Sequence, residues 1–155
     1  MEADEQMPRL DNQLCFALYR ASRAIIRAYG PILEPLGLTY PQYLVMLALW
    51  QNDRQSVRDI GAKLSLDSAT LTPLLKKLEV RGLVTRTRSE KDERVVDIAL
   101  TKKGQKLRES ASAVPVDLAC RLGVDVTDQD SLAEIRGLRE TLTRLAAGFE
   151  RRINE

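Results

Sequence analysis

Apolar positions recur at helical spacing over most of this chain, and the breaks in that spacing sort its elements. From Leu10 to Tyr29, Leu14, Leu18, Ala21 and Ile25 form one stripe. Cys15, Tyr19, Ser22 and Ile26 form a second beside it, with Arg20, Arg23 and Arg27 elsewhere. Gly30-Pro31 reads as the end of this helix. In Leu38-Thr39-Tyr40-Pro41 a capping Thr, or its neighbour, precedes a Pro that enters a new helix. The run from Tyr43 to Trp50 is apolar nearly all round, which marks a buried helix. Residues 1–9 carry no periodicity and are expected to form a tail.

The middle of the chain carries the most information. Ser56 is placed to cap a two-turn helix over 57–64, with Ile60 and Leu64 inward. Ser65-Leu66 makes a turn, and Asp67 caps a second helix running to about Arg81. There Leu71, Leu74, Leu75 and Leu78 fall at i, i+3, i+4 and i+7, leaving Ser68, Thr70, Thr72, Lys76 and Lys77 outside. Gly82 stops that helix. Residues 83–88 and 95–100 read as strands around the charged tip Ser89-Glu90-Lys91-Asp92-Glu93-Arg94. Two short helices, a tight turn and a charged hairpin predict a winged helix-turn-helix. A further helix from Thr101 is interrupted near Pro115 and ends around Gly123. Thr127 with Asp130 resembles a capping box before a last helix with Leu132, Ile135, Leu138, Leu142, Leu145 and Phe149 in a near-heptad seam. That seam wants a partner, either the first helix or a second copy of the chain. The predicted class is mainly α with a small β-hairpin wing.

Composition narrows the function. The chain has 155 residues, 44% of them hydrophobic, enough for one cored domain or a domain with a dimerisation arm. No apolar run approaches the roughly 20 residues of a membrane span, and no signal-peptide pattern opens the sequence. A cytoplasmic protein with no membrane partner is expected. No His and two Cys make a zinc site or a disulfide scaffold a poor fit, so no cofactor is expected and the thiols should rest reduced. Net charge is only +2, yet residues 54–108 hold 14 basic and 7 acidic side chains. Such segregation suits a polyanion-binding face flanked by acidic helices.

Short hydroxyl side chains followed by Lys let a helix approach base edges and phosphates; an isolated Lys pair would be an ordinary solvated face. At the wing, Arg94 suits a narrow minor groove, which attracts guanidinium, while Arg86 and Arg88 are weaker phosphate contacts. A routine charged turn is the plainer reading of that tip. Cys15 has two readings that the residues leave open: a packing thiol, since free Cys is often buried, or a sensor. Tyr29 and Tyr40 stand beside helix ends, where phenols can donate to a thiolate, and Tyr19 lies one turn beyond Cys15. Cys120 lies in the amphipathic stretch 117–122, where a small packing residue is also reasonable.

The segment Asp67-Ser68-Ala69-Thr70-Leu71-Thr72-Pro73-Leu74-Leu75-Lys76-Lys77-Leu78-Glu79, followed by Gly82-Leu83-Val84 and Asp92-Glu93-Arg94, resembles the MarR family of winged-helix repressors. Leu10-Asp11-Asn12-Gln13-Leu14-Cys15-Phe16-Ala17-Leu18-Tyr19 is similar to its organic-hydroperoxide-sensing branch, the OhrR repressors, and Cys120 to that branch's two-cysteine members. The resemblance implies a single MarR-type domain over 10–155. Residues 10–35 and 102–155 would form dimerisation helices, and 40–100 the DNA-binding region. It implies a homodimer on double-stranded DNA with a pseudo-palindromic operator, and an Asp92 that orients an Arg. It also implies an organic hydroperoxide as oxidant of Cys15, a Tyr pair acting across the dimer interface, an intersubunit Cys15–Cys120 disulfide and a thiol reductant that resets it. Two other functions fit the residues: a repressor gated by a small aromatic ligand with Cys15 inert, and a thiol peroxidase, which would need neither wing nor basic block.

Overall fold

The computed structural model describes residues 9–89 and 92–153; the tail expected over 1–9 falls almost wholly outside them, as do Glu90 and Lys91 of the wing tip. The chain divides into two compact units, one ending at Val114 and one starting at Pro115.

In the first unit a 3-10 turn over Leu10–Asn12 leads into α1, Leu14–Leu33. The expected stop at Gly30-Pro31 does not occur. Proline inside a helix costs about 3 kcal/mol through its lost N–H and ring clash. Continuing, however, buries Ile32 and Leu33, each worth about 1.5–3 kcal/mol. The N–H of Glu34 closes the last turn on the Gly30 carbonyl. A second 3-10 turn, Glu34–Leu36, ends at Gly37, whose φ of 63° is a left-handed conformation that favours glycine. Helix α2, Tyr40–Gln51, begins as expected with Pro41 in its first turn, and the Thr39 N–H donates to the Gln42 side chain at 3.0 Å. Its apolar run is buried on several sides at once, through Tyr43, Val45, Met46, Ala48, Leu49 and Trp50.

The two helices of the expected helix-turn-helix follow with the caps the sequence indicated. The Ser56 hydroxyl accepts from the Asp59 N–H (3.0 Å) to open α3, Val57–Leu64, and the Asp67 carboxylate accepts from the Thr70 N–H (2.7 Å) to open α4, Ser68–Val80. The turn between them is tight: a Cβ on Gly61 would stand 2.8 Å from the Leu66 carbonyl oxygen. Leu71, Leu75 and Leu78 of α4 are fully buried, with Leu74 only half so.

Strands β2, Val84–Arg88, and β3, Val96–Leu100, pair antiparallel, with Val84 opposite Leu100 and Arg88 opposite Val96. The sheet has a third member the sequence did not announce: β1, Gln55–Ser56, pairs with the other edge of β3, giving the order β1-β3-β2. Two residues are too few to carry a period. Helix α5, Lys102–Ala111, is capped by Thr101, whose hydroxyl accepts from the Gly104 N–H at 3.0 Å. The Trp50 indole N–H donates to the Gly104 carbonyl at 2.9 Å, joining α2 to α5.

The second unit contains most of α6, Val114–Arg121, and all of α7, Gln129–Ile153. Gly123, with φ of 69°, follows the end of α6. The expected Thr127 capping box is replaced by its neighbour. The Thr127 hydroxyl donates to Asp125, and Asp128 accepts from both the N–H (2.9 Å) and the hydroxyl (2.6 Å) of Ser131 at the start of α7. The seam residues Ile135, Leu138, Leu142 and Phe149 are exposed in the single protomer.

Gly104 sits where a side chain cannot fit, since a Cβ there would collide with the Leu83 carbonyl. The substitution Gly104→Ala is expected to lower stability by about 1–3 kcal/mol, the usual cost of overpacking. Urea unfolding followed by circular dichroism measures it, and an unchanged midpoint would contradict the close packing of α5 on the strand start.

Candidate nucleic-acid interface and thiol site

The burial of Leu71, Leu75 and Leu78 turns the opposite side of α4 to solvent. Ser68, Thr70, Lys76 and Lys77 are exposed there, as expected. Thr72 departs from that set: it is half-buried at the edge of the apolar stripe. Hydrogen bonds from the Thr70 N–H and hydroxyl hold the Asp67 carboxyl below its ordinary pKa, so the cap is ionised at neutral pH.

At the wing, Asp92 accepts from the backbone N–H of Arg94 at 3.0 Å. The carboxylate therefore orients Arg94 through its main chain, leaving an exposed side chain at the tip. The tip is closed by the Val95 N–H on the Asp92 carbonyl and by the Ser89 N–H on the Val95 carbonyl, both at 2.9 Å. Arg88 is exposed as well. Arg86 is not: its side chain is 22% exposed and pairs with Glu79 of α4 at 3.7 Å, while its Nε is buried without a partner among the described residues. A positive charge counted for a phosphate is thus directed at Glu79 of α4. Two participants went unmarked in the sequence. Glu79 faces Arg86, and Asp53 accepts from the Leu100 N–H at 2.8 Å, pinning the end of β3. Neither sits in a periodic pattern, and both partners are distant in the chain or on another element.

Cys15 lies in the first turn of α1 and is exposed in the single protomer, as are Leu14, Tyr19, Ile25 and Ile26 of the two α1 stripes. It fills no core within one chain. Tyr19, one turn on, is turned along the helix: its hydroxyl accepts from Arg23 at 3.3 Å, and the Arg23 guanidinium lies 5.6 Å from its ring centre. Tyr29 and Tyr40 do meet, with ring centres 4.6 Å apart, and Tyr43 stands 5.9 Å from Tyr29. Burial, and then the neighbouring phenols Tyr40 and Tyr43, push the Tyr29 hydroxyl up to about 12; burial raises Tyr40 also. Both remain hydrogen-bond donors at neutral pH.

The thiol and the phenols do not meet within one protomer. Cys15 and Tyr29 share α1, and at about 1.5 Å per residue they lie about 21 Å apart along its axis. Cys120 is exposed on α6, in the second unit. Among the described residues no cluster of His, Cys, Asp and Glu could hold a metal, and no helix is long and apolar enough to cross a membrane.

This fold and this layout have relatives. The family model described as "Transcriptional regulator SarA/Rot" matches residues 27–110. The organic hydroperoxide resistance transcriptional regulator of Bacillus subtilis is 45% identical over 86% of this chain and 89% of its own length. Among solved structures, AbfR, known from Staphylococcus epidermidis, is similar in two states. Reduced AbfR bound to DNA superposes with a TM-score of 0.71 at 39% identity, covering 94% of this chain and 99% of that one. Disulfide-formed AbfR gives 0.64 at 41% identity, covering 94% and 97%. The Bacillus subtilis relative is a transcriptional regulator and reduced AbfR is bound to DNA, which leaves the thiol peroxidase reading without support. With the winged helix-turn-helix in place, the match over 27–110 and the 45% identity to the Bacillus subtilis regulator show that the chain belongs to the MarR family of winged-helix transcriptional regulators, in the branch of the organic-hydroperoxide-resistance regulators.

Proposed function

We propose that this regulator is a homodimeric repressor that releases its operator when an organic hydroperoxide oxidises Cys15. The observation that supports the reading is the placement of the thiol: Cys15 is exposed at one end of α1, about 21 Å from the phenol pair at the other, which separates them within one protomer and leaves Cys15 open to a second copy. The uncovered apolar faces of α1 and α7 supply surface for that copy. On this reading residues 10–35 and 102–155 form the dimerisation region and 40–100 the DNA-binding region. The names of the relatives, a hydroperoxide resistance regulator and a protein whose structure is known both reduced on DNA and disulfide-bonded, support the same chemistry.

In the reduced dimer Tyr29 and Tyr40, with Tyr19 nearby, donate to the Cys15 thiolate across the interface and lower its proton affinity. Ser68, Thr70, Lys76 and Lys77 present α4 to a major groove, with Thr72 at its margin, and Arg94 enters the adjoining minor groove. A two-fold dimer requires half-sites about one helical turn apart in a pseudo-palindromic operator. The thiolate attacks the terminal oxygen of the hydroperoxide, the O–O bond breaks, and the alkoxide leaves as alcohol after taking a proton; Cys15 becomes a sulfenic acid. That acid condenses with the thiol of Cys120 of the partner subunit, forming the S–S bond and releasing water. A disulfide needs Cα atoms about 4.4–6.8 Å apart, and meeting that limit moves helices and spoils the spacing of the two α4 helices. Two equivalents of a small thiol reverse the step. The whole cycle suits a cytoplasmic protein in a reducing compartment.

Cys15→Ser is expected to bind operator like the reduced wild type and to stay bound when an organic hydroperoxide is added, as read by gel shift; release as ready as the wild type's would remove Cys15 as the sensor. With Cys120→Ser, the hydroperoxide-induced covalent dimer should disappear from non-reducing gels, and a persistent band would refute the pairing. For the wing, Arg94→Ala should weaken operator binding by more than about 1 kcal/mol, the scale of one specific contact. Equal affinities by fluorescence anisotropy would take Arg94 off the interface.

A further inference from the structure

Arg81, the residue that follows α4, fastens the end of the recognition helix to a turn 44 residues earlier in the chain. Its Nη2 donates to the Leu36 carbonyl at 3.1 Å and its Nη1 to the Gly37 carbonyl. Space for the guanidinium depends on Gly37, because a Cβ there would stand 2.5 Å from Arg81 Nη2. The main chain of Arg81 is held as firmly as its tip. Its N–H donates to the Lys77 carbonyl at 3.2 Å, and its carbonyl accepts from Lys103 Nζ at 2.8 Å, at the start of α5. Guanidinium bonds to carbonyls are charge-assisted and stronger than neutral ones, and this residue is half-buried.

The turn that Arg81 grips lies between Tyr29 and Tyr40. Their rings meet at 4.6 Å and close the segment 30–39, whose carbonyls at Leu36 and Gly37 are the two that Arg81 holds. A short path of fixed contacts therefore runs from the phenols through the turn and the guanidinium to the C-terminal end of α4. We propose that Arg81 is a positioning residue that couples the tyrosine pair to the recognition helix, so that displacement of the pair on oxidation of the thiol is passed to α4. This rests on the redox reading given above. A side chain that only fastened the fold would stabilise both redox states alike. Spatial continuity alone does not separate the two roles; a difference between the two states does.

The test uses full-length wild type, Arg81→Gln and Arg81→Lys, with a DNA duplex selected from a random pool by reduced wild-type protein. Fluorescence anisotropy gives Kd in dithiothreitol and again after cumene hydroperoxide, with mass spectrometry confirming equal oxidation of Cys15. Arg81→Gln is expected to keep its reduced-state Kd within about fivefold of wild type. Its oxidised-to-reduced Kd ratio should fall by about tenfold or more, a loss within the usual range of coupling between sites. Arg81→Lys, which keeps one donor near the carbonyls, should give an intermediate ratio. A wild-type ratio in Arg81→Gln, in a protein that does respond, overturns the coupling role. A wild type that is oxidised yet keeps its DNA overturns the redox reading and this inference with it, and only the wild-type arm reports that failure. Should Arg81→Gln lose its cooperative thermal transition, Arg81→Lys decides alone: a lowered ratio supports the coupling and a wild-type ratio overturns it.

Discussion

Burial of Leu71, Leu75 and Leu78 at zero exposure is the constraint on which the winged helix-turn-helix depends. These residues lie on one side of α4, which packs on α2, α3 and β2. Turning the helix by one residue, about 100°, would bring leucines into water at about 1.5–3 kcal/mol each and drive polar side chains inward. The helix has one workable rotation, and that rotation leaves Ser68, Thr70, Lys76 and Lys77 outside. Its start is fixed by the close Gly61–Leu66 turn and the Asp67 cap. Which side chains α4 presents to solvent is a property of that phase as much as of the sequence.

The wing is built around β3, which has a partner on each edge. Asp53 holds one end of the strand and the Asp92–Arg94 turn shapes the other side of the hairpin. Arg86 joins wing to helix by pairing with Glu79, although a partly exposed pair at 3.7 Å contributes little stability by itself. The electrostatic footprint is therefore smaller than the count of basic residues in 54–108 suggests. Arg86 is directed at Glu79, Arg81 holds backbone carbonyls and Lys103 holds another. Exposed basic side chains remain on α4 at Lys76 and Lys77, on the hairpin at Arg88 and Arg94, and on neighbouring segments at Arg54, Arg58, Lys102, Lys106 and Arg108.

The separation of the thiol from the phenols is set by length. One unbroken α1 carries the thiol near its first turn and a phenol near its last, and a helix is too stiff to fold the two together. Its continuation through Pro31 matters for this, because it carries the chain from Tyr29 into the buried anchor Ile32-Leu33 and so into the turn before Tyr40. The tyrosines are thereby locked to the core of their own protomer, while Cys15 stays on an apolar surface that is open in the single chain.

Local rules made much of this legible in advance. Ser56 and Asp67 cap helices because a short side-chain oxygen reaches an N–H three residues away whatever the rest of the chain does. The leucine period of α4, the apolar girdle of α2 and the charged tip between two short strands likewise belong to their own segments. The polar, exposed face of α4 and the exposed Arg94 follow from those patterns, with Thr72 the partial exception at the edge. Distant partners decided the rest. Pro31 signals a stop, but burial of Ile32 and Leu33 outweighs it. Strand β1 exists only because β3 offers it an edge, and Asp128 caps α7 because Thr127 is engaged with Asp125. Arg86 turns from solvent because Glu79 faces it, and Cys15 and Tyr29 are separated because α1 does not break. Sequence alone determined which helices form and which faces are polar, since those depend on neighbours within a turn. The tertiary structure decided which charges are free and which reactive groups can meet, since those depend on contacts between residues tens of positions apart.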